Sequence, residues 1–349
     1  MSGSGKIGMV EDLKVELEPK ARKFLNQLKE SDISKTAILC GYFDPDGGAS
    51  GWAFQKVIEK LGGTAKIFYK GTFTRPQNKI FKSLLGINVY PEDELNAEKF
   101  TTIAAIDCPL ALCEDIKPDF LIDHHTIEDQ TVAKAVDTRI VGACSTLLLE
   151  YCRELDINFK DEDGQKLSTA LLIGCITDCK NGMADSCTNA DYEAMAFLHQ
   201  HKDNSLYKDI INYPKPPYYN DLFCQAWENK TVENTILVSG VGVISESRIG
   251  ILSDLAEKFI ETEGVNTAVI FGIVDNKIDI SIRTNSKLDV DEFVKNAFGG
   301  GGGRIGAARA VIEMPVLFQN VPPELNEELY QTCFKIVRHK ALQIAGDKK

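Results

Sequence analysis

Five carboxylates and two imidazoles stand directly after apolar runs in this sequence. Asp44 and Asp46 follow Thr36–Phe43 (TAILCGYF), Asp107 follows TIAAI, Asp123, His124 and His125 follow FLI, and Asp178 closes LLIGCITD. A side chain in such a place sits at the rim of a core. A charge there is partly desolvated and costly unless it is paired or bound to metal. Carboxylates with an imidazole suit Mn²⁺ or Mg²⁺ better than a structural zinc, which prefers Cys and His. Two such ions about 3.5–4 Å apart would clamp a phosphoryl group, activate a water and stabilise the leaving oxygen. A single Asp after a strand is a common helix cap or turn former, and His124-His125 alone could be a loop pair. Agreement among four element ends is what gives the pattern weight.

The elements that must position these residues follow from periodicity. Residues 10–30 read as a helix, with Leu13, Leu17, Ala21, Leu25 and Leu28 three or four apart. Strands are expected at Thr36–Gly41, Ala65–Tyr69 and Thr102–Ile106, with Phe120–Ile122 ending a fourth. The DPDGG stretch breaks the first strand, and a helix is expected from about Ala49 to Leu61. Strands alternating with helices indicate parallel βαβ units. Helical periodicity continues over Ala143–Leu155, Gln165–Ile176 and Asn189–His199. Residues 201–231 turn polar and Pro-containing, which marks a boundary. Beyond it, strands are expected at Thr235–Ile244, Ala268–Val274 and Lys277–Arg283, the last with Ile278, Ile280 and Ile282 alternating against polar partners. Helices are expected at Ile251–Phe259, Val290–Phe298 and Pro323–Ala345.

The fold class is therefore α/β: an N-terminal domain with a mostly parallel sheet flanked by helices, then a smaller α/β domain with a mixed sheet. The expected division is 1–200, a linker at 201–232, and 233–349. The 349 residues suit about two domains. Lys and Arg number 39 against 51 Asp and Glu, a net charge of −12, which argues against coating long duplex nucleic acid by bulk charge. No apolar run reaches the ~18–20 residues of a membrane span, and the start has no apolar leader core, so a cytoplasmic location is expected. Ten Cys without a CxxC pair, mostly in apolar surroundings, read as reduced thiols.

A second region could bind anions. Five glycines, 299–303, precede Arg304, and Arg309 follows shortly. Such a run is often a flexible linker. Here a helix and an apolar stretch flank it, its backbone N–H groups could approach an anion, and a helix start after it would add a favourable dipole. Arg283 sits on the strand before it. Phe223, Trp227, Tyr218 and Tyr219 could stack on bases, although packing is the plainer use for them.

The Asp123-His124-His125 triplet resembles the signature of the DHH phosphoesterase superfamily. That group includes exonucleases, oligoribonucleases, cyclic-dinucleotide phosphodiesterases and class II pyrophosphatases. Gly41-Tyr-Phe-Asp-Pro-Asp-Gly-Gly-Ala-Ser50 is similar to the first motif in its RecJ-type form, Ile106-Asp107 to the second, and Gly174-Cys-Ile-Thr-Asp178 to the fourth. The resemblance implies one ion held by Asp46, Asp107, His124 and Asp178. It implies a second held by Asp44, a bridging Asp107 and a residue two before Asp44. Family members usually have His or Asp there; this sequence has Tyr42, and a phenol of pKa near ~10 is a poor ligand. Mn²⁺ or Mg²⁺ is thus expected as up to two ions, the second bound weakly. His125 would steady the scissile phosphate, and Asp123 would orient the histidines.

The stretch from Ser281 to Arg309 resembles the DHH-associated C-terminal domain, which binds the nucleotide part of the substrate. The resemblance implies substrate contacts at Arg283, Gly301, Gly302, Gly303 and Arg304. Arg304 stands where the family commonly has His, and Arg309 where it has Gly. The expected protein is an Mn/Mg-dependent phosphodiesterase acting on short single-stranded nucleic acid or linear dinucleotides. A RecJ-like single-stranded DNA exonuclease and a weakened nucleic-acid-binding repair partner are the alternatives. No membrane partner is expected, and a homodimer is compatible with the chain.

Overall fold

The computed structural model describes residues 17–71, 74–108, 116–125, 133–304 and 306–346. The part of the first expected helix before residue 17 lies outside them. The described residues divide into two units, one of 17–71 with 77–213 and the other of 74–76 with 214–346.

The first unit is built on six parallel strands: β1 Thr36–Tyr42, β2 Ala65–Lys70, β3 Val89–Pro91, β4 Thr102–Ile106, β5 Phe120–Asp123 and β6 Ala135–Thr138. Their order is β3-β2-β1-β4-β5-β6. In β1, Ile38 and Cys40 face one core while Ala37 and Leu39 face a second on the opposite side. A strand covered on both faces reads as a continuous apolar run, which is why these were legible. The helices of this unit include α1 Pro19–Lys29, α2 Pro45–Lys60, α3 Pro76–Leu85, α4 Cys144–Glu154, α5 Glu162–Asp178 and α6 Asn189–His201. Phe24 of α1 packs edge-on to Phe120 at 5.4 Å and lies 5.6 Å from Tyr151. The strand order reverses between β1 and β4, and ligands in open α/β sheets gather at the carboxyl ends of strands flanking such a switch. Asp44 and Asp46 leave β1 there, and Asp107 leaves β4.

Two expectations are corrected. The helix after β1 begins at Pro45 and not near Ala49: Asp44 caps it by accepting from the Gly47 N–H at 3.0 Å, and Pro45 fills its first position. The DPDGG stretch stops the strand by starting a helix, since Asp at the cap and Pro at the first position favour one. Residues 201–232, expected as a linker, carry α7 Asn204–Ile211 and α8 Pro217–Glu228, the first belonging to the first unit and the second to the other.

The second unit has a mixed sheet ordered β11-β12-β10-β9-β8-β7. Its strands are β7 Thr231–Glu233, β8 Ile236–Val243, β9 Thr267–Val274, β10 Lys277–Thr284, β11 Gly302–Arg304 and β12 Ala307–Glu313. Only the β8–β9 pair is parallel, and α9 (Gly250–Phe259) makes that crossover. One face packs on α10 (Val290–Phe298) and α11 (Asn326–Gly346), the other on α8 and α9. Phe223 and Trp227 of α8 meet the ring of Phe259 edge-on, although Trp227 stays exposed. Strand β10 is covered on both faces. The supposed polar side of β10 holds buried Asp279, paired with Arg309, and buried Ser281, 3.1 Å from Ser253 of α9. No helix among the described residues is long and apolar enough to cross a membrane.

Candidate metal centre

His124 is the hub of the first unit's strand ends. Its Nε2 lies 3.5 Å from Asp107 Oδ1, 3.6 Å from Asp178 Oδ2 and 4.0 Å from Asp46 Oδ2. Its Nδ1 lies 3.2 Å from the carbonyl of Val141, an acceptor, so Nδ1 keeps its proton and Nε2, facing the carboxylates, is the nitrogen that would give up a proton to hold an ion. Both His124 Nε2 and Asp107 Oδ1 are buried with no hydrogen-bond partner. Buried polar atoms are nearly always paired, so two orphans facing one point mark a place for a ligand.

Each carboxylate arrives by its own route. Asp46 is wholly buried in the first turn of α2. It accepts from the backbone N–H of Cys144 at 2.7 Å and of Ser145 at 2.8 Å. Ala143, the cap residue of α4, supplies no side-chain bond, so Asp46 caps that helix from 98 residues away. Asp107 holds φ at +50°, a left-handed conformation sparsely used by non-glycine residues and tolerated best by Asn and Asp. Asp178 ends α5. Gly174, one turn earlier, lets α5 approach α2: a Cβ there would come 2.3 Å from Ser145 Oγ and 3.0 Å from Asp46 Oδ1.

The electrostatics agree with an ion-binding role. Burial, then the Asp46 charge, pushes Asp107 from 3.8 up to about 8. Burial opposes the charged form of His124, yet the nearby carboxylates of Asp107, Asp46 and Asp178 hold it up at about 10. Negative charge is gathered here at a cost that a bound cation would offset. The same burial raises the thiols of Cys40 and Cys144 well above their usual value, so neither is a ready nucleophile. The donor set, three carboxylate oxygens and one imidazole nitrogen round orphaned atoms, fits a hard divalent ion.

The structure thus brings Asp46, Asp107, His124 and Asp178 together. Asp44 caps α2; a Cβ on Gly47 would lie 3.6 Å from Asp44 Oδ1 and 3.1 Å from Asp107 Oδ2, so these two carboxylates flank one small residue. Asp123, fully buried, accepts from both the N–H of His125 at 2.8 Å and its Nδ1 at 2.7 Å. It orients His125 but not His124, whose second nitrogen goes to Val141. Tyr42 is 62% exposed, and its ring lies beside Gly71. The amides of Cys144 and Ser145 and the Val141 carbonyl had no signal in sequence, because any residue type supplies them.

The glycine run is no linker. Gly299 ends α10 in a left-handed cap at φ +77°, and Gly302–Arg304 form edge strand β11 against β12. No helix follows it, which corrects the expected dipole: a hairpin does. Gly301, Gly302 and Gly303 are exposed, and the Gly303 N–H donates to Asp291 at 3.1 Å. Arg283 donates to Glu257 at 2.9 Å. The side chain of Arg304 lies outside what the structure describes.

Comparison with known proteins bears first on the fold and then on one domain. Over 92% of this chain and 97% of the other, the fold is shared with an exopolyphosphatase-related protein from Bacteroides fragilis, at a TM-score of 0.68 and 13% identity. A RecJ from Thermus thermophilus, solved with Mn²⁺, aligns over 95% of this chain and 56% of its own at a TM-score of 0.47 and 14% identity. The uncharacterized protein MJ1633 of Methanocaldococcus jannaschii is 32% identical over 313 residues, which is 88% of this chain and 63% of that protein. This chain therefore spans less than two thirds of that relative's length. Residues 235–333 match the family model of the DHHA1 domain. Residues 235–333 are thus similar to the DHHA1 domain, and the fold of the whole chain is similar to that of the exopolyphosphatase-related protein.

Proposed function

We propose that the chain is a divalent-metal-dependent phosphoesterase that hydrolyses phosphodiesters of short single-stranded nucleic acid or linear dinucleotides. The observation that carries the reading is the convergence of three carboxylates on the orphaned Nε2 of His124. Asp46, Asp107, His124 and Asp178 would hold the ion, with Asp44 beside Asp107 as the start of a second, weaker site. When bound, Mn²⁺ or Mg²⁺ supplies charge neutralisation at phosphoryl oxygens and acidifies water.

The chain's own groups do the positioning. The Val141 carbonyl fixes the His124 ring in one tautomer. Asp123 takes the Nδ1 hydrogen bond of His125, which leaves that ring's Nε2 edge to meet a phosphate oxygen. The half-exposed His125 ring lies tilted against His124, centroids 4.3 Å apart, within reach of a group held at the centre. Arg283 and the backbone of Gly301–Gly303, with Arg304, would bind the nucleotide part of the substrate. The DHHA1 match over these residues supports that assignment.

The test is hydrolysis of a labelled length ladder in Mn²⁺, alongside calorimetric Mn²⁺ binding. Turnover falling from dinucleotide to ~30-mer is the expected result. Turnover that rises with length would make the chain a RecJ-like exonuclease instead. Mn²⁺ binding without turnover on any rung would leave a nucleic-acid-binding protein. Absence of both would remove the metal reading.

A further inference from the structure

Beside the metal centre, but outside it, two thiols and a carboxylate form a separate cluster. Cys179 Sγ, Cys187 Sγ and an oxygen of Asp191 all lie within 4.8 Å of one another. Cys179 is buried and caps α5 directly after Asp178; Cys187 is partly exposed. The chain between them doubles back: Lys180, Asn181 and Gly182 are left-handed, Ala184 N–H donates to the Cys179 carbonyl and Cys187 N–H to the Ala184 carbonyl, both at 3.0 Å.

A metal is a poor occupant for this cluster. Both Asp191 oxygens are already used, one by Gly142 N, Thr188 N and Thr188 Oγ1 at 2.7–2.8 Å and the other by Thr146 Oγ1 at 2.5 Å. Two sulfurs without free further ligands fall short of the four a structural zinc takes. The nearest partners of the sulfurs are each other and, for Cys187, the Tyr192 hydroxyl.

We propose that Cys179 and Cys187 form a reversible disulfide that acts on the neighbouring centre through Cys179. The disulfide stands on the geometry just given; its effect on metal binding rests on the functional reading above. A low-molecular-weight disulfide is the oxidant. The Cys187 sulfur attacks it after losing a proton, forming a mixed disulfide and expelling one small thiol. Burial and the Asp191 charge hold the Cys179 thiol above its usual value, so Cys179 attacks only once the mixed disulfide is held against it, its proton passing to the departing small thiolate as the second small thiol leaves. One S–S bond has formed in the protein, one has broken in the oxidant, and two electrons have passed to it.

The route to the centre is short. A Cβ on Gly142 would lie 2.4 Å from Cys179 Sγ, so this sulfur rests on the Gly142 backbone. Gly142 stands between Val141, whose carbonyl orients His124, and the Cys144 and Ser145 amides that hold Asp46. Drawing Sγ to within about 2.0 Å of its partner withdraws that support and pulls on the residue after Asp178.

The experiment treats the full chain with oxidised and reduced glutathione mixtures, then reads peptide masses and amide hydrogen exchange. The expected result is a Cys179–Cys187 cross-link that dithiothreitol reverses. With it come faster exchange at Gly142, Cys144 and Ser145 and Mn²⁺ affinity weakened roughly tenfold. Cys187→Ser should show neither cross-link nor response, with hydrolysis unchanged under reducing conditions and a melting curve to confirm folding. Mixed disulfide at Cys187 alone, or a cross-link with unchanged exchange at those amides, would overturn the proposal. A cross-link with altered exchange in a chain that neither binds Mn²⁺ nor turns over would keep the thiol pair and sink the metal reading.

Discussion

The strand ends of the first unit and the glycine run of the second both concentrate charged groups, yet they hold them differently. At the centre, polar atoms are left unpaired: His124 Nε2 and Asp107 Oδ1 are buried orphans, and Asp107 keeps a left-handed backbone. In the glycine region the protein already supplies partners, with Asp291 on the Gly303 N–H, Glu257 on Arg283 and Asp279 on Arg309. A site of unpaired groups costs stability until a ligand arrives, so ligand binding and folding are strongly linked there. A site of exposed, prepaired groups costs little to keep, and a ligand gains only the difference between itself and the group it displaces. Metal should therefore alter the melting behaviour of the first unit far more than nucleotide alters that of the second.

The sharpest way to break this contrast is Asp107→Asn. Asn tolerates the left-handed backbone, so the variant tests charge and ligation without adding strain. Hydrolysis should fall by more than about 100-fold, the upper range for losing a mere supporting group. The metal-free variant should melt higher, by on the order of 2 kcal/mol at pH 7, because a carboxyl pushed up to about 8 is costly to bury there. The melting shift on adding Mn²⁺ should vanish. If the variant hydrolyses normally, or the metal-free protein melts lower, the orphaned atoms are not a ligand site.

Proton release gives a second and smaller effect. Asp107 rises from 3.8 to about 8 and His124 from 6.5 to about 10 in the metal-free fold. Both folded values lie above the unfolded ones. The stability these groups contribute is full below the unfolded value and is lost as pH rises, over 3.8 to about 8 for Asp107 and 6.5 to about 10 for His124. A metal must displace those protons, so Mn²⁺ affinity should climb between pH 6 and pH 8, by up to about tenfold per unit for each proton released. Calorimetry in two buffers of different ionisation enthalpy reads the protons directly. An affinity flat across this range contradicts the assignment of Asp107 and His124 as ligands.

Gly174→Ala probes the support beneath the centre. The new methyl would press on Ser145 Oγ and Asp46, buried atoms with nowhere to go. Overpacking of this kind costs about 1–3 kcal/mol, and here it should also weaken Mn²⁺ binding by displacing Asp46. Chemical denaturation and calorimetry on one preparation separate the two effects. A loss of stability with unchanged Mn²⁺ affinity would show that Asp46 does not depend on this close approach.

The same contrast explains what the sequence could and could not disclose. Strands β1, β2, β4 and β5 were legible because they are apolar on both faces. Strands β3 and β6 were not, being edge strands of three and four residues whose pairing is settled by neighbours. Asp46, Asp107, His124 and Asp178 could be picked out because their side-chain types carry the chemistry. Their supports are backbone atoms, such as the Val141 carbonyl and the Cys144 amide, and these become partners only when segments far apart in sequence are packed together. The pairing of Arg309 with Asp279 was hidden in the same way, because cross-strand partners depend on a register that the alternation in β10 does not reveal.

Tyr42 gives the smallest expected effect and the finest test. The second ion would rest on Asp44 and Asp107, with a phenol, a poor ligand at neutral pH, two residues before Asp44. Because Tyr42 is largely exposed, with its ring beside Gly71, Tyr42→His should leave no buried cavity. Its stability change should stay within about 0.5 kcal/mol, the usual range for surface substitutions. Histidine at this position would add an imidazole two residues before Asp44. The Mn²⁺ concentration giving half-maximal hydrolysis should then fall, while the calorimetric affinity of the first ion, held by residues this change does not touch, stays constant. A titration of activity against Mn²⁺, with a melting curve on the same sample, reads both quantities. An unchanged midpoint in a normally folded variant would mean that position 42 does not face the second ion. A midpoint that moves together with the first ion's affinity would mean that the two sites cannot be varied separately.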